Sequence, residues 1–308
     1  MTDFIRVALT QVEAQRIRDS LFYLSRSPLP YRKLNYTLPG HDRCTLHEAD
    51  DYLRANLEAW GYAVTSEGCP VQAFRRDTTK PLAHQYAAPH VEDPWYTAYN
   101  LYAERPGRDR PEEIVLVLSH KDSQSWIDSP GAYDNAVGTS GNLEIARVLH
   151  DAVPARTIRF LWCNEEHRPW TSIAAATAAR ARGDDIVAVF NLDGLGGKSE
   201  EDIKAGRKTN VARYSTDEGK WLADLFEEVS RIYHIGLDQR SVRAFRINDD
   251  EGSYISAGYR SAVMVTGSEP YSDPHYHQES DTPESVDLEN VVMAVKASLA
   301  AILQVAGA

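Results

Sequence analysis

Cysteine is scarce in this chain: Cys44, Cys69 and Cys163 are the only three in 308 residues. They are too few and too scattered for a disulfide framework or a paired-cysteine zinc knuckle. Three reduced thiols are expected, with a Cys44–Cys69 bridge the alternative the sequence leaves open. Basic residues are outnumbered, 33 against 45 acids, for a net charge of −12. Phosphate neutralisation needs a basic stripe, so the balance argues against a nucleic-acid partner. No apolar run approaches the ~20 residues of a membrane span. The opening MTDFIRVALTQVEAQRIRDS lacks the basic start and continuous apolar stretch of a signal peptide. A soluble, cytoplasmic protein is the expectation. Two common catalytic grammars are missing as well. Gly194-Leu195-Gly196-Gly197 matches neither GxGxxG nor GxxxxGK[ST], and there is no GxSxG elbow for a serine hydrolase.

What remains is an ordinary globular composition, 43% hydrophobic and 25% charged, which excludes a mostly disordered chain. The length suits one large α/β domain or two small ones. Residues 12–26 read as an amphipathic helix with Ile17, Leu21 and Leu24 on one face. Thr45-Leu46-His47-Glu48 reads as a capping box, with Thr45 as N-cap, opening a helix that carries Leu53, Leu57 and Trp60 and stops at Gly61. The stretch 79–111, rich in Pro, Tyr and His, is expected to mix loops with short edge strands.

From Glu113 onward four apolar runs appear: Ile114–Leu118, Thr157–Cys163, Ile186–Leu192 and Ala262–Val265. They are continuous rather than alternating, as in strands buried on both faces of a mostly parallel sheet. Helical patterns over Leu143–Leu149, Thr171–Arg182 and Trp221–Tyr233 separate them. A terminal helix over 287–304 follows the Thr282-Pro283 start signal. The alternation predicts one α/β domain over residues 1–308, a mostly parallel or mixed sheet flanked by helices. Helices of about 1–65 pack on it, and the chemistry-bearing segments fall within 113–290.

Each buried run ends in groups that packing does not explain. The first ends in His120-Lys121-Asp122, the second in Glu165-Glu166, the third in Asp193, and the fourth leads to a loop holding His275 and His277. Ligands of open α/β sheets bind at the carboxyl ends of the strands, so these groups are expected to converge. Gly131-Ala132-Tyr133-Asp134-Asn135 adds Asp134 through a glycine-entered turn before a helix. Imidazoles and carboxylates in such numbers suit a pair of divalent metals, Zn²⁺ first. Without a metal, carboxylates so crowded would repel one another.

In order, His-x-Asp, Gly-Ala-x-Asp-Asn, Glu-Glu, Asn-Leu-Asp and a final His before Asp-Thr-Pro-Glu resemble the M28 family of di-zinc peptidases. Asn100-Leu101-Tyr102-Ala103-Glu104-Arg105-Pro106-Gly107 and the segment Asp250 to Tyr254 extend the resemblance to about residues 95–290. It implies a zinc-exopeptidase type of fold and an aminopeptidase acting on peptides through two zinc ions. By that resemblance His120 and Asp193 hold one zinc, Glu166 and His277 the other, and Asp134 bridges them. His277 is preferred to His275 because it lies four residues before Asp281-Thr282. Glu165 is the general base that takes a proton from the attacking water, and Asp122 orients the His120 imidazole. Tyr276 is either a donor to the developing oxyanion or a packed ring.

The chain departs from the family after the paired glutamates, where His167-Arg168-Pro169-Trp170 replaces a glycine-bearing segment. Arg168 is a candidate reader of a substrate carboxylate at the crevice mouth, against a plain solvent-facing arginine. Related metallopeptidase groups with a similar ligand order carry a satellite domain, for which the spacings here leave little room. Two alternatives stand beside the aminopeptidase: a glutaminyl-cyclase-like acyltransferase using one zinc, and a non-catalytic binding relative. The sequence does not specify an oligomeric state.

Overall fold

Apolar runs without polar alternation must be covered on both faces, and they set the middle of the molecule. The computed structural model describes residues 4–307, and residues 1–3 and 308 of the expected domain lie outside the described residues. The chain opens with helices α1 (Phe4–Thr10), α2 (Ala14–Ser25) and α3 (Thr45–Ala59), followed by strand β1 (Thr65–Ala73). An excursion then carries β2 (Arg75–Arg76), a short helical turn over Leu82–His84, and β3 (Tyr86–Ala87). Next come β4 (Trp95–Arg105), β5 (Arg110–His120), α4 (Val137–Val148), β6 (Arg156–Cys163), β7 (His167–Arg168), α5 (Thr171–Arg182) and β8 (Asp185–Leu192). The remainder holds α6 (Glu200–Lys204), β9 (Thr209–Tyr214), α7 (Lys220–Ile232), β10 (Asp238–Arg243), α8 (Asp249–Ser256), β11 (Ala262–Thr266) and α9 (Leu288–Ala306).

Nine strands make one mixed sheet in the order β10-β9-β11-β8-β5-β6-β4-β1-β7. Its centre is the four expected runs: β11, β8, β5 and β6 lie side by side and parallel. Strands β4 and β1 extend one side antiparallel, and β9 joins the other side antiparallel to β11. Strand β5 shows how the sequence makes layers. Val115 and Val117 enter a core shared with α1, α2, α4, α7 and α9. Ile114, Leu116 and Leu118 enter the opposite core, against Ala175, Ala176 and Ala179 of α5 and Tyr254 and Ile255 of α8. Each such side chain, fully buried, contributes ~1.5–3 kcal/mol, which is why Ile114–Leu118, the buried middle of this strand, holds no polar residue. The α/β architecture with helices on both faces is the one the run-and-helix alternation predicts.

Some elements differ from the sequence reading. The stretch 79–111 contains β4, an 11-residue strand that lies between β6 and β1 rather than at an edge. Strands β1, β9 and β10 are not marked by the sequence reading. The capping box does not form: Thr45 is the first residue of α3, and Cys44 before it makes no side-chain cap. The Thr45 and Leu46 N–H groups donate instead to the carbonyls of Tyr36 and Lys33, while Glu48 turns to His41 Nδ1 at 2.6 Å. A neighbouring loop satisfies the free N–H groups that a cap would otherwise take. Thr282-Pro283 opens only a short turn, and α9 begins at Leu288 with Asp287 accepting the Asn290 N–H. By length and composition α9 could cross a membrane, contrary to the expectation of no such segment, but it is mostly buried and packs on α4 and α7. All three cysteines are unpaired.

Candidate metal centre

The parallel strands all end at one side of the sheet, and their ends deliver the polar groups. His120 is the last residue of β5, Glu165 and Glu166 follow β6, Asp193 follows β8, and His277 stands on the loop after β11. Asp134 comes from the turn between β5 and α4. Gly131 enters that turn with φ +57°, and a Cβ there would strike the Asp134 carbonyl oxygen and approach Ser123 Cβ to 2.8 Å. Only glycine fits, and the turn it allows aims Asp134 inward.

The five expected donors fall into two triads that share one carboxylate: His120, Asp134 and Asp193, and Asp134, Glu166 and His277. His120 Nε2 lies 3.0 Å from Asp134 Oδ1 and 3.4 Å from Asp193 Oδ1. His277 Nε2 lies 3.0 Å from Asp134 Oδ2 and 3.3 Å from Glu166 Oε1. Zinc bonds of ~2.0–2.1 Å in a tetrahedron place neighbouring ligand atoms about 3.3–3.4 Å apart, close to the imidazole–carboxylate separations of 3.0–3.4 Å in both triads. The two oxygens of Asp134 face opposite triads, as a bridging carboxylate requires. His275 belongs to neither, and its Nδ1 meets Ser280 Oγ at 2.9 Å.

Around the triads, Asp122 is fully buried and holds four groups. Its Oδ1 meets His120 Nδ1 at 3.3 Å and accepts the Glu165 N–H at 2.9 Å. Its Oδ2 accepts the Glu166 N–H at 2.8 Å and faces His167 Nδ1 at 2.8 Å. Burial opposes its charge, yet the two imidazoles hold Asp122 well below the usual carboxylate range. Glu165 is the reverse case. Burial first, then the carboxylates of Asp250 and Asp249, push it well above that range, and its Oε2 is buried without a partner among the described residues. Burial and Asp134 push Glu166 up to about 7. Burial works against a charge on His277, but Glu166 and Asp134 still raise it to about 10.

The triads open into a cleft of about 760 Å³ counting its mouth. One wall is aromatic, with Phe74 edge-on to Tyr86 and Trp126, those two rings tilted against each other, and both meeting His277. Tyr276 also lines the cleft, its ring stacked on His277 at 3.8 Å between centroids. Burial and the nearby carboxylates raise its hydroxyl well above 10, so it keeps its proton. Arg168 lies elsewhere. It is exposed on β7, paired to β1, and does not line the cleft. The guanidinium that does is Arg213 of β9, held by Asp249, Glu251 and Glu269. The sequence places Arg168 beside a ligand in number only, because the short β7 turns it onto the sheet edge.

Several residues that sequence reasoning passed over reach the same place. The Ala83 carbonyl, on the helical turn between β2 and β3, meets His277 Nδ1 at 2.8 Å. Gln124 is fully buried against Asp134 and Glu166. Arg32 is fully buried and carries no carboxylate partner among the described residues. It donates to four carbonyls: Lys121 at 2.6 Å, Leu24 at 2.5 Å, Pro130 at 2.7 Å and Gly131 at 2.8 Å. Burial brings its pKa down to about 10. No periodicity or motif marks these three in the sequence; only the long-range packing does.

A mixed sheet whose parallel ends gather two donor triads around one carboxylate defines the zinc-exopeptidase class of fold. Residues 100–302 match the profile of peptidase family M28, and the chain belongs to that family. A probable zinc metalloprotease of Pyricularia oryzae is 28% identical, over 99% of this chain and 66% of its own. Leucine aminopeptidase 1 of Sclerotinia sclerotiorum is 26% identical, over 71% of this chain and 58% of its own. The chain thus spans about three fifths to two thirds of the length of these relatives. Among solved structures, the aminopeptidase from Aneurinibacillus sp. strain AM-1 superposes with a TM-score of 0.73 at 15% identity, covering 98% of this chain and 96% of its own. A Bacteroides thetaiotaomicron glutaminyl cyclase superposes with a TM-score of 0.69 at 16% identity, covering 95% of this chain and 98% of its own.

Proposed function

We propose that this chain is a metal-dependent aminopeptidase that removes N-terminal residues from peptides, with two zinc ions at the paired triads. The observation that carries the reading is Asp134, whose two oxygens face a His–Asp pair on one side and a His–Glu pair on the other. His120 and Asp193 would hold one ion, Glu166 and His277 the second, and Asp134 both. When bound, zinc supplies Lewis acidity to the scissile carbonyl and to the attacking water.

The protein's own groups supply the rest. Glu165, with one carboxylate oxygen buried and a raised proton affinity, is suited to take the water's proton and pass it to the leaving amine. Asp122 fixes the imidazole of His120 and the backbone of Glu165 together, so base and donor move as one unit. The Tyr276 hydroxyl, still protonated, is suited to donate to the developing oxyanion. The acidic cleft favours the substrate's α-ammonium group.

Metal analysis and a small substrate panel test the reading. Purified protein is expected to carry about two zinc ions per chain and to hydrolyse dipeptides with a free N-terminus but not their N-acetyl forms. The glutaminyl-cyclase-like alternative shares the fold, and a single zinc with cyclisation of N-terminal glutamine would replace the aminopeptidase reading. The complete His120 triad speaks against it.

A further inference from the structure

Gln124 stands four residues past the end of β5, on the loop that leads to Gly131, and is fully buried. Its amide nitrogen lies 2.9 Å from Asp134 Oδ2 and 3.0 Å from Glu166 Oε1, and 3.1 Å from the Asp134 backbone carbonyl. All three neighbours are acceptors, so chemistry fixes which end of the amide points at them: a flipped side chain would set its oxygen against three others. The opposite end, Oε1, is buried and has no partner among the described residues. An amide oxygen buried without a donor costs stability, and that cost calls for an explanation in what the other end does. Here it touches both anionic donors of one triad, and neither His120 nor Asp193 of the other.

We propose that Gln124 is a positioning residue for the second metal set: its N–H groups orient Asp134 Oδ2 and Glu166 Oε1 toward the site completed by His277. The proposal rests on the two-metal reading above. Outer partners that fix ligating carboxylates typically change metal affinity by ~10–100-fold when removed. The two triads are therefore built differently. A carboxylate, Asp122, steadies His120 in one, whereas the other has a backbone carbonyl on His277 and a neutral amide across its two acids.

Cobalt(II) titrated into the metal-free, full-length chain tests this, read by visible absorption and by the binding isotherm. His120→Ala and His277→Ala identify which step belongs to which triad. Gln124→Met keeps the side chain's length without its donor, and is expected to weaken the His277-dependent step by ~10–100-fold and leave the other unchanged. Gln124→Glu keeps the shape but sets an acceptor against the two acids, and is expected to weaken that step at least as much. Equal weakening of both steps, or of neither, would overturn the proposal, as would wild-type cobalt affinity in Gln124→Glu. If Gln124→Met does not fold, Gln124→Glu alone decides. A wild-type chain that takes one cobalt ion removes the two-metal reading itself, an outcome distinct from two steps that ignore Gln124.

Discussion

Asp122 holds Glu165 by its backbone: the carboxylate oxygen that meets the His120 ring also accepts the Glu165 N–H at 2.9 Å. Asp122→Asn would keep the shape and turn one acceptor into a donor facing N–H groups. Zinc affinity should fall by ~10–100-fold. Each N–H left unpaired should lower unfolding free energy by about 1–3 kcal/mol. Zinc competition and urea melts check both. Undiminished zinc affinity would show that Asp122 does not orient His120.

Glu165→Gln separates base from ligand. Both metals should remain bound while kcat drops by ~10²–10⁴-fold, the range for losing a general base. Elemental analysis alongside steady-state kinetics decides it. Loss of one metal would mean that Glu165 and not Glu166 is the ligand.

The two arginines should behave oppositely. Arg213→Met leaves the partly buried Asp249, Glu251 and Glu269 gathered without their cation, and should cost more than the ~1 kcal/mol that bounds an exposed pair. Arg168→Ala, on the exposed sheet edge, should stay within about 0.5 kcal/mol in stability. It should also leave kcat/KM for a dipeptide and for its C-terminal amide changed alike. A selective loss on the free acid would return Arg168 to the substrate.

Much of this is legible in the sequence, and the reason differs by element. Strands β11, β8, β5 and β6 were readable because a strand buried on both faces must be apolar throughout. The acids at their ends stood out against that background. Strand β10, Asp238–Arg243, is polar and partly exposed, so no hydrophobic pattern marks it. Strand β1 carries Gly68 and Pro70, residues that read as turns. Within the site, His120, Asp134 and His277 lie in local motifs, whereas Gln124, Arg213 and the Ala83 carbonyl reach it only through tertiary packing.

Stability should respond to pH through Glu251. Burial pushes it up to about 8 against the pull of Arg213, while in an unfolded chain it titrates near ~4.3. Between those values the folded protein holds a proton that the unfolded chain has released. Its contribution is complete below about pH 4 and is lost as pH rises through about 8. Urea midpoints should therefore fall over that window, and Glu251→Gln, which still accepts from Asn191, should flatten the fall. An identical slope in the variant would exclude Glu251 as its source.

Arg32 and the Ala83 carbonyl both lie before residue 100, where the family match begins. One staples the loop that carries Asp134 to the end of α2, and the other steadies His277 from the far side. Cutting the gene at the homology boundary would thus yield a fragment with all five donor side chains and neither brace. Replacing the leading segment with a foreign one would meet the same obstacle, since that part must bring its own guanidinium and its own carbonyl to those two spots.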